Sequence, residues 1–474
     1  MIPLALEEIA RITGARLDGG ADPSAAVFGP VVIDSRRAAP GGLFAAVEGE
    51  RADGHDFAGA AFAAGAVAVL GTRPCGGPAL IVSSVPAALA RLAQEVVARL
   101  PQVAIAGITG SSGKTSTKDL AAQLVERLGP AVAPEGSYNN ELGFPLTVLR
   151  ADEQTRCMVL EMAARGVGHI ASLCEIAPPR IGAVLNVGHA HTGEFGGIEQ
   201  VARAKGELPA ALPAAGAGGV AILNGDDPRV MAMAGRTEAR VLRFGLADAD
   251  VTATDVRLDD RGRPRFTLVT RAGTAPVRLG LHGAHHVPNA LAAAAIAAEL
   301  GLGLADIAAG LSAATARSRW RMEVRQAPGG LTVVNDAYNA NPESVRAALE
   351  ALRHMARGRR AFAVLGQMAE LGEESRASHE EAGALAAGTG VTGLIVVGAE
   401  AEPIIDGARA ADGWRGEVVG VPDGPSAVAA LRGRLADGDV VLVKASRAAG
   451  LESVAAALLA GPDLDLDLVK EKAQ

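Results

Sequence analysis

Between Gly107 and Asp119 the chain reads Gly-Ile-Thr-Gly-Ser-Ser-Gly-Lys-Thr-Ser-Thr-Lys-Asp. Glycines, hydroxyls and one lysine in this order suit the handling of phosphate. Backbone N–H groups from Gly110, Ser111, Ser112, Gly113 and Ser116 are placed to cradle phosphate oxygens, Lys114 to reach the β- and γ-phosphates, and the Thr115 hydroxyl to ligate magnesium. The spacing departs from the strict phosphate-loop pattern, because the residue five before Gly113 is Ile108 and the nearest glycines are Gly107 and Gly110. The context compensates. An apolar run, Val103 to Ala106, precedes the loop as a strand would, and Leu120, Leu124 and Leu128 recur behind it at helical spacing.

Other residues join this loop as candidates. Glu161 closes the apolar run Cys157 to Met162, where a carboxylate at a strand end suits magnesium. His189 and His191 follow the strand ending at Val187; a lone His-x-His is a weak metal signal, and magnesium prefers oxygen. From Gly197 to Leu212 the spacing predicts a helix. Ile198, Val201, Lys205, Leu208 and Leu212 make one stripe on it, so Lys205 interrupts an apolar face. A lysine there must snorkel, pair or lose its charge, and a neutral amine can also take up carbon dioxide as a carbamate. Asn289 sits one residue after Pro288 at the start of an Ala-rich helix, as a ligand contact or a cap. Asp34-Ser35-Arg36 follows a strand near the N-terminus and could hold a phosphate or simply form a solvated loop.

The elements that must carry these side chains alternate strand and helix. With 474 residues, length alone suggests about three domains. We expect an α/β fold: a small α/β domain over residues 1–100, a central nucleotide domain with a mostly parallel sheet over 101–315, and a doubly wound, Rossmann-like domain over 316–474 with a loose tail after about 462. Hinges are expected near residues 100 and 315. Antiparallel strands are expected between about 240 and 282, with a turn at Asp259 to Gly262. Aromatic residues make up 3% of the chain, so the cores must be built from Ala, Val and Leu. A net charge of −8 argues against general affinity for nucleic acid or anionic lipid. Three cysteines without a CxxC pair suit a reduced compartment and read as small buried hydrophobes. Glu7 and Glu8 disqualify the N-terminus as a signal peptide. A cytoplasmic, monomeric protein without membrane insertion is expected.

Taken together these motifs resemble the Mur ligase family, ATP-dependent enzymes that lengthen the peptide of the bacterial cell-wall precursor. The family's phosphate loop has the TGxxGK[ST] form seen at Thr109 to Thr115, and the resemblance covers nearly the whole chain. It implies an N-terminal UDP-substrate domain, a central ATPase domain and a C-terminal domain closing over both. By resemblance Lys114 and Thr115 contact triphosphate and magnesium, Glu161 and His191 ligate two magnesium ions, and Lys205, in Ala-Lys-Gly-Glu, bears a carbamate. Asn289 is expected to hold adenine, Arg321 and Asp336 to contact the nucleotide, and Ser35, Arg36, Asn140, Asn339, Lys444, Ser446 and Arg447 to contact substrate. NDAYNANPES, Asn335 to Ser344, and LGQMAELGEES, Leu365 to Ser375, resemble the branch that adds D-alanyl-D-alanine to UDP-N-acetylmuramoyl-tripeptide. Branches that add single amino acids tend toward DYAHxP. Two departures stand out: His286 replaces a commoner Asn, and Thr192-Gly193-Glu194 follows His191.

The implied reaction forms an acyl phosphate that an amine then attacks, a scheme needing positioning and charge neutralisation rather than a nucleophilic side chain. Its rivals are a related ligase adding a single amino acid, or glutamate to folate, a non-catalytic nucleotide-binding subunit of a cell-wall complex, and a small-molecule kinase that would leave the third domain without a task.

Overall fold

The computed structural model describes residues 1–49, 52–136, 138–189 and 192–460. His191 and the expected loose tail lie outside the described residues, as does Arg51.

Three sheets organise the chain. The first has five short strands in the order Arg16–Asp18, Ala79–Ile81, Ala68–Gly71, Leu43–Ala45, Val31–Val32, parallel except for the first. The helix Val85–Ala98 covers it, started by Ser84 accepting the Ala87 N–H at 3.3 Å and by proline in its first turn. Leu89, Leu92 and Val96 of this helix share one core cluster with Phe144, Ile170 and Leu173 of the central domain. That continuous apolar packing opposes motion at the hinge expected near residue 100.

The central sheet has six parallel strands ordered Arg240–Phe244, Val220–Asn224, Ile181–Val184, Ala104–Thr109, Cys157–Glu161, Ala131–Val132. From Ala104–Thr109 the chain first builds one side of the sheet and then crosses to Ile181–Val184 on the other. The loop after Ala104–Thr109 therefore opens at the switch point, where doubly wound sheets leave a crevice for ligands. Three antiparallel strands follow, Thr252–Leu258, Pro264–Thr270 and Gly273–Arg278, turning through Asp259 to Gly262 as expected; Arg240–Phe244, expected among them, instead pairs parallel with Val220–Asn224 at the edge of the central sheet. The helix His286–Glu299 buries nearly all of its alanines and packs against the phosphate-loop helix Lys114–Val125 and the central sheet, since methyl side chains let backbones come close.

The third sheet is ordered Glu323–Gln326, Thr332–Asn335, Val440–Lys444, Ala361–Leu365, Gly393–Val397, Glu417–Val421, parallel except for its first strand. Strand residues alternate between two cores, Val334, Ala363 and Leu442 on one face and Val333, Phe362 and Val441 on the other, as a sheet covered by helices on both sides requires.

Two further local expectations need correction. The helix predicted from Gly197 to Leu212 is two pieces, Ile198–Lys205 and Glu207–Ala210, because Pro209 has no N–H to donate to the Lys205 carbonyl. The stripe still holds: Val201, Lys205, Leu208 and Leu212 are all buried. Cys157 and Cys174 are buried as expected, whereas Cys75 is half-buried in a surface loop.

Candidate active site

The phosphate loop is held from behind by the segment after Ile181–Val184. Ser112 N–H donates to Asn186 Oδ1 at 2.9 Å while Asn186 Nδ2 donates back to Ser112 O at 3.2 Å. Ser111 Oγ accepts the Gly188 N–H at 2.8 Å and donates to Gly188 O at 3.1 Å. Gly113 has φ 79°, and a Cβ there would overlap Asn289 Oδ1. Only glycine fits both demands. Asn289 is thus buried against the loop and is not a cap; the residue before the helix, His285, makes no side-chain cap bond.

Loop and helix end in a cavity of about 580 Å³ between the central and C-terminal domains, which Glu161, Arg321 and Asp336 also line. Lys114 Nζ donates to Gly110 O at 2.7 Å, and burial pushes its pKa down while the Glu161 carboxylate opposes that shift. Glu161, 1% exposed, has one oxygen held by Asn139 Nδ2 at 2.6 Å. Among the described residues its Oε2 is buried without a hydrogen-bond donor. An orphaned carboxylate oxygen lining the same cavity as the Thr115 hydroxyl is the kind of oxygen donor a magnesium ion takes. Lys205 is 4% exposed and within electrostatic reach of Lys114. Burial first, and the charge of Lys114 second, hold its pKa well below the ordinary lysine value. Among the described residues no hydrogen-bond acceptor or carboxylate is paired with its Nζ, so burial disfavours the charged form without a compensating partner.

The C-terminal domain closes the cavity. Arg321 stacks on the Tyr338 ring at 4.3 Å, and Met322 N–H donates to Asp336 Oδ1 at 3.0 Å. Lys444, 2% exposed, donates to Asp336 Oδ2 at 2.5 Å and to Asn339 O at 2.9 Å. Within NANPES, Asn341 and Ser344 form a capping box for the helix Pro342–Ala356, with Pro342 in its first turn. Glu343, on that same turn, accepts the His189 N–H at 3.0 Å and contacts His189 Nδ1 at 2.8 Å across the domain boundary. Gly193 N–H donates to Glu370 O at 3.1 Å, so the Thr-Gly-Glu departure is where the LGQMAELGEES loop docks.

The cavity gathers Ser111, Ser112, Gly113, Lys114, Thr115 and Ser116 with Asn140, Glu161 and Asn289, and with Arg321, Asp336, Asn339 and Lys444 from the C-terminal domain. Other expected residues stand outside it. Ser446 is buried, accepting the Ala369 N–H at 2.9 Å, and Arg447 pairs with Glu452 and stacks on Trp320 at 4.2 Å. Ser35 and Arg36 form a separate loop on the first domain, where Arg36 Nε donates to Asp34 at 3.0 Å; the neighbouring Arg37 reaches the central domain, 2.9 Å from Glu135. Asn140 uses its side chain to accept the Gly143 N–H at 2.9 Å, so of the asparagine doublet it is Asn139 that touches Glu161. Sequence reasoning missed Asn139, His285 and Glu343. The doublet itself was the available signal, since two amides in one loop offer one to the fold and one to a ligand.

A phosphate loop at a sheet's switch point, a buried carboxylate facing it and a third domain completing the cavity define an ATP-dependent enzyme of the three-domain ligase class. Family models describe residues 29–105 as "Mur ligase family, catalytic domain", 108–297 as "Mur ligase middle domain" and 320–447 as "Mur ligase, glutamate ligase domain". The chain belongs to the Mur ligase family. It is 49% identical, over 97% of its length and 98% of the relative's, to the UDP-N-acetylmuramoyl-tripeptide–D-alanyl-D-alanine ligase of Mycobacterium bovis. It superposes on MurF from Acinetobacter baumannii with a TM-score of 0.84 at 29% identity, covering 97% of this chain and 99% of that one. MurF ligase from Thermotoga maritima, solved in complex with ADP, matches with a TM-score of 0.75 at 32% identity over 90% of this chain and 96% of that one.

Proposed function

We propose that this chain uses ATP to join D-alanyl-D-alanine to UDP-N-acetylmuramoyl-tripeptide, giving the pentapeptide precursor of peptidoglycan. The observation that carries the reading is that the phosphate loop and the Asp336-to-Ser344 segment, which resembles the dipeptide-adding branch, line one cavity. The near-full-length likeness to ligases bearing that name supports it.

The γ-phosphoryl group of ATP passes to the terminal carboxylate of the tripeptide, giving ADP and an acyl phosphate. The amine of the dipeptide attacks the acyl carbon, and the tetrahedral adduct collapses to the new amide with loss of phosphate and a proton. Lys114 holds the β/γ end; a polyphosphate beside it offsets the desolvation that lowers its pKa. Asn289 holds adenine next to Gly113, and Arg321 with the Lys444-tethered Asp336 contacts the nucleotide. Magnesium, at two sites, would be held by Thr115, Glu161 and His191, neutralising charge on the transferring group. A carbamate on Lys205 would replace a buried amine by an anion near Lys114 and serve as a further ligand. Ser35 and Arg36 bind the uridine diphosphate end on the first domain. Asn140, Asn339 and Lys444 face the acceptor side, whereas Ser446 and Arg447 act through the Ala369 loop and Trp320. Boundaries near 100 and 315, a monomeric state and a cytoplasmic site of action belong to the same reading. Among the described residues no helix is long and apolar enough to cross a membrane.

The test is phosphate release with ATP and magnesium, adding the tripeptide substrate and then D-alanyl-D-alanine or single amino acids. Release that needs both tripeptide and dipeptide, with a pentapeptide product by mass, is expected. Equal release with a single amino acid would move the chain to another branch of the family.

A further inference from the structure

The link between the central and C-terminal domains does not hang free. It leaves the helix Leu304–Ala313 and runs along one face of the phosphate-loop helix, where Asp119, Gln123 and Glu126 recur at i, i+4 and i+7. Gln123 Nε2 donates to Thr315 O at 3.0 Å, and Thr315 N–H donates back to Gln123 Oε1 at 3.0 Å. Arg317 forks onto Glu126 at 2.5 and 2.6 Å. Asp119, 7% exposed, accepts the Ser318 N–H on Oδ2 at 3.0 Å, while its Oδ1 is held by the buried Lys118, whose Nζ also reaches Pro134 O at 2.9 Å.

Two residues further on the chain belongs to the other domain. Trp320 O accepts the Tyr338 N–H at 3.1 Å, the Arg447 guanidinium lies over the Trp320 ring, and Met322 N–H is held by Asp336. Trp320 and Met322 have φ of 58° and 50°, left-handed values that non-glycine residues keep only where their surroundings hold them. They bracket Arg321, which faces the cavity. Between Ser318, fastened to the central domain, and Trp320, fastened to the C-terminal one, stands only Arg319. It is exposed, and among the described residues its side chain has no hydrogen bond or ion pair.

We infer that Asp119 is a positioning residue: it fastens the linker to the phosphate-loop helix and confines rotation of the C-terminal domain to Arg319. The helix that presents Lys114 and Thr115 to phosphate at its first turn thereby carries the pivot of the closing domain little more than one turn further on. The expected hinge near 315 moves to 319 because the residues before it are strapped down. The inference rests on the ligase reading for its kinetic arm alone.

The experiment uses the full chain and the variants Asp119→Ala, Asp119→Asn and Gln123→Ala, each checked for wild-type thermal unfolding. Asp119→Asn keeps the side-chain volume but has one acceptor oxygen for two donors, so it tests the strap even where the alanine variant fails to fold. Hydrogen exchange of the 314–319 peptide should be slow in wild type and about tenfold faster in the Asp119 variants. ADP affinity should stay within about threefold while kcat falls about tenfold or more, as expected when closure rather than nucleotide binding is damaged. Fast exchange at Ser318 in wild type would overturn the inference, as would folded Asp119→Asn and Gln123→Ala proteins with unchanged linker exchange, or a loss of ADP affinity matching the loss of kcat. Failure of wild type to release phosphate would sink the ligase reading and leave the exchange result standing.

Discussion

Glu343 of the C-terminal domain holds His189 of the central domain at two points, its backbone N–H at 3.0 Å and its ring Nδ1 at 2.8 Å. The same carboxylate oxygen would stand 2.6 Å from a Cβ on Gly188, so the clamp closes onto the segment that braces Ser111. A hydrogen bond to a charged group contributes about 1.5–3 kcal/mol, which predicts that Glu343→Ala lowers kcat/KM about 10- to 100-fold. Glu343→Gln, which keeps an acceptor for the backbone N–H, should fall between the two. Steady-state kinetics with small-angle scattering of the nucleotide complex checks this; unchanged kinetics would make the clamp incidental.

Lys205 has a buried amine with its charge disfavoured by the medium and by Lys114. Lys205→Ala should therefore lose turnover by about 100-fold or more while keeping its fold, and short carboxylates should restore part of it by occupying the vacated space. Wild-type protein equilibrated with ¹³C-bicarbonate should show a carbamate carbon resonance that the variant lacks. Wild-type activity in Lys205→Ala would remove the carbamate from the mechanism.

Stability should depend on pH through His285, whose pKa is lowered to about 4, chiefly by burial, with the Asp336 carboxylate opposing the shift and the Lys444 charge adding to it. Among the described residues its Nδ1 is buried without a partner. Below the ordinary value of 6.5 the unfolded chain binds a proton that the folded chain refuses, so stability is full above 6.5 and falls as pH drops toward 4. The loss over that window is of the order of 3 kcal/mol. Urea midpoints at several pH values should show this slope, and His285→Phe should flatten it.

Gly193 faces Gly372 so closely that a Cβ on it would lie 2.5 Å from the Gly372 nitrogen. Gly193→Val should leave the separate domains stable and hold them apart, lowering kcat about tenfold or more with little change in the melting temperature. A variant that destabilises the protein without slowing turnover would show the contact to be mere packing.

Local patterns along the chain account for much of the fold and part of the site. The phosphate loop is recognisable because glycine, lysine and hydroxyl must follow one another locally, and the alternation of apolar runs with helical spacing specifies every strand of the C-terminal sheet but only four of the six in the central one, where Ala131–Val132 is too short to show and Arg240–Phe244 reads as part of the antiparallel region. The buried stripe carrying Lys205 is readable because helical periodicity survives the break before Pro209. Glu161 falls at a strand end, as expected, for the same local reason.

What depends on the meeting of distant segments is not legible in this way. Sequence could nominate Lys444 and Asn140 as substrate contacts, but only the assembled fold commits Lys444 to Asp336, 108 positions away, and Asn140 to the Gly143 N–H while Asn139 takes Glu161. The clamp from Glu343 to His189 spans 154 positions, and the bond from Ser318 to Asp119 spans 199. Periodicity and motif record what each residue does with its near neighbours along the chain. Which polar groups face one another across a domain boundary is decided by three sheets packing, and no local pattern carries that information.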